Sequence, residues 1–168
     1  NEQMAQMRSA VETLQAPPQP APATQAGPAA PPMEPKVLYD AALRDLTGGN
    51  LDMAMKGFQE YLKFYPETDL AGNAQFYIGE VSYRQQKYQE AIDAYDRVLE
   101  RYPNGNKTAA AHLKKGFALL ELKDRDAAAR EFRELERRFP TSEEAKLARE
   151  QLRRLAGTAP ARPRPRPR

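Results

Sequence analysis

The sequence predicts an all-α fold of three helix-pair repeats plus a closing helix, and three observations predict it. Aromatic-proline pairs stand at Tyr65-Pro66, Tyr102-Pro103 and Phe139-Pro140, each 37 residues after the last. Three further registers keep that step: a small residue at Ala42, Gly79 and Gly116, an alanine at Ala54, Ala91 and Ala128, and an aromatic at Phe58, Tyr95 and Phe132. The fifteen prolines all avoid the stretches that read as helices. Inside one, a proline would cost roughly 3 kcal/mol. Self-similarity at a fixed period is the mark of a stacked array.

Each 37-residue unit reads as two helices. In the first unit, 36–68, a helix over about 36–46 is followed by the turn Gly48-Gly49-Asn50 and a helix over 51–65. The second unit, 69–105, places helices over 69–86 and 88–102, and the third, 106–142, over 107–123 and 125–139. Thr68, Gly105 and Ser142, again 37 apart, announce the next helix. A Thr or Ser hydroxyl there caps orphan N–H groups, and Gly is a tolerable substitute. Thr141 with Glu144 forms the spacing of a capping box. A last helix over 143–155 carries Ala145, Ala148, Leu152 and Leu155 on one side and Arg149, Glu150, Arg153 and Arg154 on the other. An amphipathic helix of this kind closes an array. The repeat domain is thus 36–157.

The repeated residues have a mechanical logic. Small residues in the first helix of a unit and early in the second let the two approach closely. The ring at Phe58, Tyr95 or Phe132 is expected to fill space toward the next unit, and proline ends the second helix because its ring clashes with a continuing one. This pattern resembles the tetratricopeptide repeat, with its step lengthened from about 34 residues to 37.

Outside the domain the material changes. Met4, Met7, Val11 and Leu14 follow steps of three, four and three, the seam of a coiled coil. Residues 1–15 read as the end of an oligomerising coiled coil, or as a frayed terminal helix. Residues 16–35 are Pro/Ala/Gln-rich, hold eight of the prolines, and read as a semi-stiff spacer. The tail 158–168 alternates Arg162, Arg164, Arg166 and Arg168 with proline. It is an extended cationic strand, suited to an anionic partner or to keeping the chain soluble.

Composition narrows the function classes. The formal net charge is +3, from 26 basic and 23 acidic residues, but four of the arginines lie in the tail. The rest is close to neutral, so no nucleic-acid partner is expected. No apolar run approaches the ~20 residues of a membrane span. The chain starts at Asn1 with no initiator methionine and no signal peptide, and is expected to be a mature or truncated form from which any export signal is already absent. There is no cysteine, His112 is the sole histidine, and no nucleophile–base set, phosphate loop or metal spacing occurs. No enzyme activity and no cofactor are expected. His112 reads as an ordinary helix residue, and Asp124, Asp126, Glu143 and Glu144 read as turn and helix-start residues.

The stretches 73–103 and 113–155, with the heptads, spacer and repeats in that order, resemble the CpoB (YbgF) family of Tol-Pal-associated periplasmic repeat proteins. Two departures stand out: Tyr77-Ile78-Gly79-Glu80 replaces aromatic-Leu-Gly-Glu, and Pro103-Asn104-Gly105 replaces Pro-x-Ser. The resemblance implies a non-catalytic periplasmic scaffold that coordinates outer-membrane constriction with septal peptidoglycan synthesis in cell division. It implies TolA and a bifunctional penicillin-binding protein as partners, and a homotrimer through the N-terminal coiled coil. The alternatives are a related repeat lipoprotein of outer-membrane assembly and a generic peptide-binding adaptor.

Partner contact is expected on the first helix of each unit, where stacked arrays form a concave groove. In register, that face is Lys36, Asp40, Leu43 and Thr47, then Asn73, Tyr77, Glu80 and Arg84, then Lys114, Phe117 and Glu121. Aromatic and polar groups on one face suit an extended or helical peptide. Asn73 and Arg84 are the favoured contacts; Leu43 and Phe117 equally suit packing between helices. Carboxylates at Asp40, Glu80 and Glu121 argue against a purely cationic clamp.

Overall fold

A computed structural model describes residues 33–157. The seam residues Met4, Met7, Val11 and Leu14, most of the spacer and the arginine tail lie outside the described residues. Within them are seven helices and no strand: α1 (Pro35–Thr47), α2 (Leu51–Phe64), α3 (Ala71–Arg84), α4 (Tyr88–Arg101), α5 (Thr108–Glu121), α6 (Arg125–Arg138) and α7 (Glu143–Gly157). Each helix packs on the next in sequence, and α5 also meets α7. α1 starts at Pro35, a residue assigned to the spacer from sequence. Proline suits the first helical turn, where its missing N–H would have no partner anyway.

Proline stops α2, α4 and α6 through the residue before it. Tyr65, Tyr102 and Phe139 stand at φ −132°, −127° and −130°, pushed out of the helical region by the following ring. Two of these aromatics also tie the array together. The Tyr102 hydroxyl donates to the Pro66 carbonyl at 2.9 Å, and the Tyr65 hydroxyl donates to the Met33 carbonyl at 2.6 Å. Phe139 has no hydroxyl to repeat the bond.

The turn inside each unit has a left-handed residue at the same register: Gly49 at φ +82°, Gln86 at +62° and Lys123 at +65°. Only the first is a glycine, the residue that adopts this conformation without a Cβ penalty. Gln86→Gly and Lys123→Gly are each expected to raise stability by about 0.5–1 kcal/mol, read from the thermal midpoint. Helix starts are handled unevenly. Ser142 Oγ accepts from Ala145 N at 3.1 Å, and Asp124 Oδ1 from Ala127 N at 2.9 Å. Thr68 departs from its expected role: its hydroxyl turns back to the Tyr65 carbonyl at 3.0 Å and meets the Tyr61 hydroxyl at 2.7 Å.

Ala54, Ala91 and Ala128 are fully buried, as are Phe58, Tyr95 and Phe132. The rings do not only fill space toward the next unit. A Cβ on Gly79 would run into the Tyr95 ring, and one on Gly116 into the Phe132 ring, so each ring lies on the small residue of its own unit. Phe58 does reach forward, stacking on Tyr77 at 5.4 Å between centroids.

The same register explains both ends. Ala74, Ala111 and Ala148 are fully buried, whereas the matching Val37, on the first of the described helices, is 49% exposed. Val81 and Ala118 are buried, and the matching Arg44 faces solvent. At the far end, the position of Ala42, Gly79 and Gly116 becomes the exposed Arg153, where no ring arrives to be seated. Polar substitution at stacking positions is what stops an array from growing.

Candidate functional site

The residues singled out from sequence fall into three groups. The first is engaged locally. Lys36 Nζ pairs with Asp40 Oδ2 at 2.6 Å one turn away, and the Thr47 hydroxyl donates to the Arg44 carbonyl at 2.9 Å. Both ion-pair partners are well exposed, so the pair is worth only about 0.3–0.5 kcal/mol.

A second group fastens helices to one another. Arg84 Nη1 donates to the Leu46 carbonyl at 3.1 Å, satisfying one of the last carbonyls of α1 from α3. Glu80 accepts from the Tyr95 hydroxyl at 2.6 Å and from Lys114 Nζ at 2.8 Å, joining α3 to α4 and α5. Phe117 meets Phe132 edge-on at 5.8 Å, and Leu43 packs against the buried cluster shared by α1, α2 and α3. Glu121 is exposed, and its charge, after burial, helps push the Tyr83 hydroxyl pKa up.

The third group is centred on Asn73. It is 8% exposed, and its buried Oδ1 has no hydrogen-bond partner. Its amide sits against the Tyr39 hydroxyl, whose pKa is pushed up to about 12, chiefly by burial and then by Tyr77. Tyr77 lies beside Tyr39 at 6.4 Å and edge-on to Phe76 at 5.6 Å. Lys107 covers both Phe76 and Tyr77, its Nζ 5.4 and 5.3 Å from the ring centroids. Among the described residues no carboxylate lies within ion-pair distance of Lys107. The two lysines of the predicted face, Lys36 and Lys114, are each paired with a carboxylate.

Sequence reasoning missed Lys107, which falls in the turn before α5 and not on the predicted face. It also missed a buried ionic cluster. His112, read as an ordinary helix residue, is 3% exposed, bonds through Nδ1 to Glu131, and meets Arg138 Nη1 through Nε2 at 3.3 Å. Lys115 bridges Glu131 at 2.9 Å and Asp96 at 2.7 Å, so α4, α5 and α6 share one charge network. A signal was present in the repeat register. His112 and Glu131 occupy the places of Gln75 and Ala94, whose own bond, Gln75 Nε2 to the Ala94 carbonyl, is 3.1 Å. Both pairs are 19 residues apart and changed together.

Among the described residues no helix is long and apolar enough to cross a membrane, and no His/Cys/Asp/Glu group could hold a metal ion. Paired amphipathic helices, closely seated through small residues, define a protein of the tetratricopeptide class. The chain belongs to the YfiO family of outer membrane lipoproteins, whose family model matches residues 31–156. It is also similar to the cell division coordinator CpoB of Pseudomonas putida, 39% identical over 51 residues. That stretch is 30% of this chain and 19% of the relative's length.

Solved structures agree on the fold. The tetratricopeptide domain of Arabidopsis OM64 superposes with a TM-score of 0.60 at 19% identity, over 71% of this chain and 94% of that one. The TPR2B domain of yeast Sti1, solved in complex with pHsp70, gives 0.62 at 16% identity, over 74% and 98%.

Proposed function

We propose that the chain is a non-catalytic cell-envelope scaffold that binds a protein partner along the face built by α1, α3 and α5. The observation carrying this is the Asn73–Lys107 cluster. A buried amide oxygen without a partner costs about 1–3 kcal/mol in the free protein. A turn of the Asn73 side chain toward the face would let a peptide N–H recover that cost, and Lys107 offers an adjacent charge with no carboxylate partner among the described residues. The site is therefore centred on Tyr39, Asn73, Tyr77 and Lys107, with Lys36, Asp40, Leu43, Glu80, Arg84, Lys114, Phe117 and Glu121 shaping its surroundings.

The likeness to CpoB supports the finer reading. The protein works in the periplasm with the Tol-Pal system, bridging TolA and a bifunctional penicillin-binding protein during division. Met4, Met7, Val11 and Leu14 would make it a trimer. Membership of the YfiO family favours a second reading, a lipoprotein of outer-membrane assembly.

Calorimetric titration of the full chain with purified TolA, and separately with the penicillin-binding protein, tests this. Asn73→Ala and Lys107→Gln are each expected to weaken binding about tenfold, or ~1.4 kcal/mol, while Lys56→Gln on the opposite side of the helix pairs changes nothing. Equal binding by all variants would move the site off this face. Binding to neither protein, with recovery of outer-membrane assembly components by the same bait, would give the second reading the field.

A further inference from the structure

The buried cluster at α4, α5 and α6 contains a group that the binding face does not use. We propose that His112 is a proton-operated latch, in which uptake of a second proton by its imidazole releases Arg138 and loosens the turn between α6 and α7. A guanidinium has donors only, so the Arg138 contact makes Nε2 an acceptor. The proton of the neutral ring therefore sits on Nδ1, donated to the Glu131 carboxylate.

The charged groups linked to this ring come from four helices. α4 supplies Asp96, α5 supplies Lys115, and α6 supplies Glu131, Glu134 and Arg138. α7 contributes Arg149, which is held by Glu136. A second proton turns Nε2 into a donor facing Arg138 Nη1, itself a donor, and sets a cation against the guanidinium. Glu131 keeps its bond to Nδ1–H, and Lys115 keeps Asp96 and Glu131, so Arg138 is the group that must move.

Arg138 is coupled in turn to the start of α7. Its guanidinium lies 5.4 Å from the Phe139 ring centroid, and the His112 ring stands 6.1 Å from that same ring. Phe139 ends α6, and the next carbonyl, Pro140, accepts from Arg149 of α7. Withdrawal of Arg138 removes one side of this stack and leaves α7 more weakly seated. The preceding unit has no such device, because Gln75 at the matching position does not titrate. The latch is independent of any reading of the binding face.

The single histidine makes the test direct. Nitrogen-15 NMR of the full chain should report the Nδ1–H tautomer at high pH. Hydrogen exchange corrected for intrinsic rates should then be followed across the pH range in which the same nitrogen signals report that the imidazole gains its second proton. Opening across 139–157 is expected to rise several-fold in step with the imidazole titration, while α1 and α2 keep their protection. His112→Gln should abolish the rise, and Arg138→Leu should show fast exchange at both ends of the range. An Nε2–H tautomer, exchange that ignores the titration, or an unchanged rise in His112→Gln would each overturn the latch.

Discussion

Glu131→Ala is expected to lower unfolding free energy by about 3–5 kcal/mol, measured by urea-induced loss of helicity. The carboxylate is the shared acceptor for His112 and Lys115, and its side chain is only 12% exposed. Removing it leaves the Lys115 ammonium with Asp96 alone and strands a buried imidazole N–H. The register supplies the rescue. Replacing His112, Lys115 and Glu131 together by their counterparts Gln75, Ile78 and Ala94 (His112→Gln, Lys115→Ile, Glu131→Ala) should restore most of the loss. Neutral, well-packed groups commonly match a buried ion cluster in stability.

Burial alone would raise the Glu131 pKa, but hydrogen bonds from His112 and Lys115 outweigh it and hold the carboxyl below its ordinary 4.5. Its contribution is therefore complete above the unfolded value and lost as pH falls through the folded one. Burial would lower the Lys115 pKa, but Asp96 and Glu131 outweigh it and raise it above 10.5, so that contribution disappears only as pH rises through the folded value. The triple variant should lose the acid limb that Glu131 gives the wild type. An acid limb of unchanged size would assign that sensitivity elsewhere.

Phe132→Ala is the second large effect, about 3–5 kcal/mol, because a fully buried ring leaves a cavity between α5 and α6. Gly116→Ala tests the same contact from the other side. In an exposed helix that change gains about 1 kcal/mol. Here the new methyl meets Cε1, Cζ and Cδ1 of Phe132, and overpacking of about 1–3 kcal/mol outweighs the gain. Pairing Gly116→Ala with Phe132→Leu should recover part of the cost, since the smaller side chain makes room for the methyl. Thermal unfolding of the two singles and the double reads this coupling.

Much of the fold was legible because it depends on local residues repeated at one step. The Tyr-Pro and Phe-Pro pairs marked the helix ends, since proline acts on the residue directly before it. Gly79 and Gly116 marked close approach, and the full burial of Tyr95 and Phe132 is its counterpart. The partners of individual side chains were less legible. Glu80 and Arg84 read as groove contacts, yet Glu80 holds Tyr95 and Lys114, and Arg84 holds the end of α1. A polar residue on a helix face can serve a neighbouring helix as readily as a partner, and periodicity does not separate the two. Lys107 was missed because a position at the very start of a predicted helix, off the chosen face, says nothing about a four-carbon stem that carries the charge onto the Phe76 and Tyr77 rings of α3. His112 was missed as a single residue, although its joint change with Glu131 against Gln75 and Ala94 was visible.

The bond from the Tyr65 hydroxyl to the Met33 carbonyl has a mechanical meaning. It clips the entry of α1 to the exit of α2, so tension arriving along the chain ahead of residue 33 meets both helices at once. Without the clip, the same pull would unwind α1 one turn at a time from its N-terminal turn. With it, the load is applied in shear across the whole pair, the direction in which packed helices resist best.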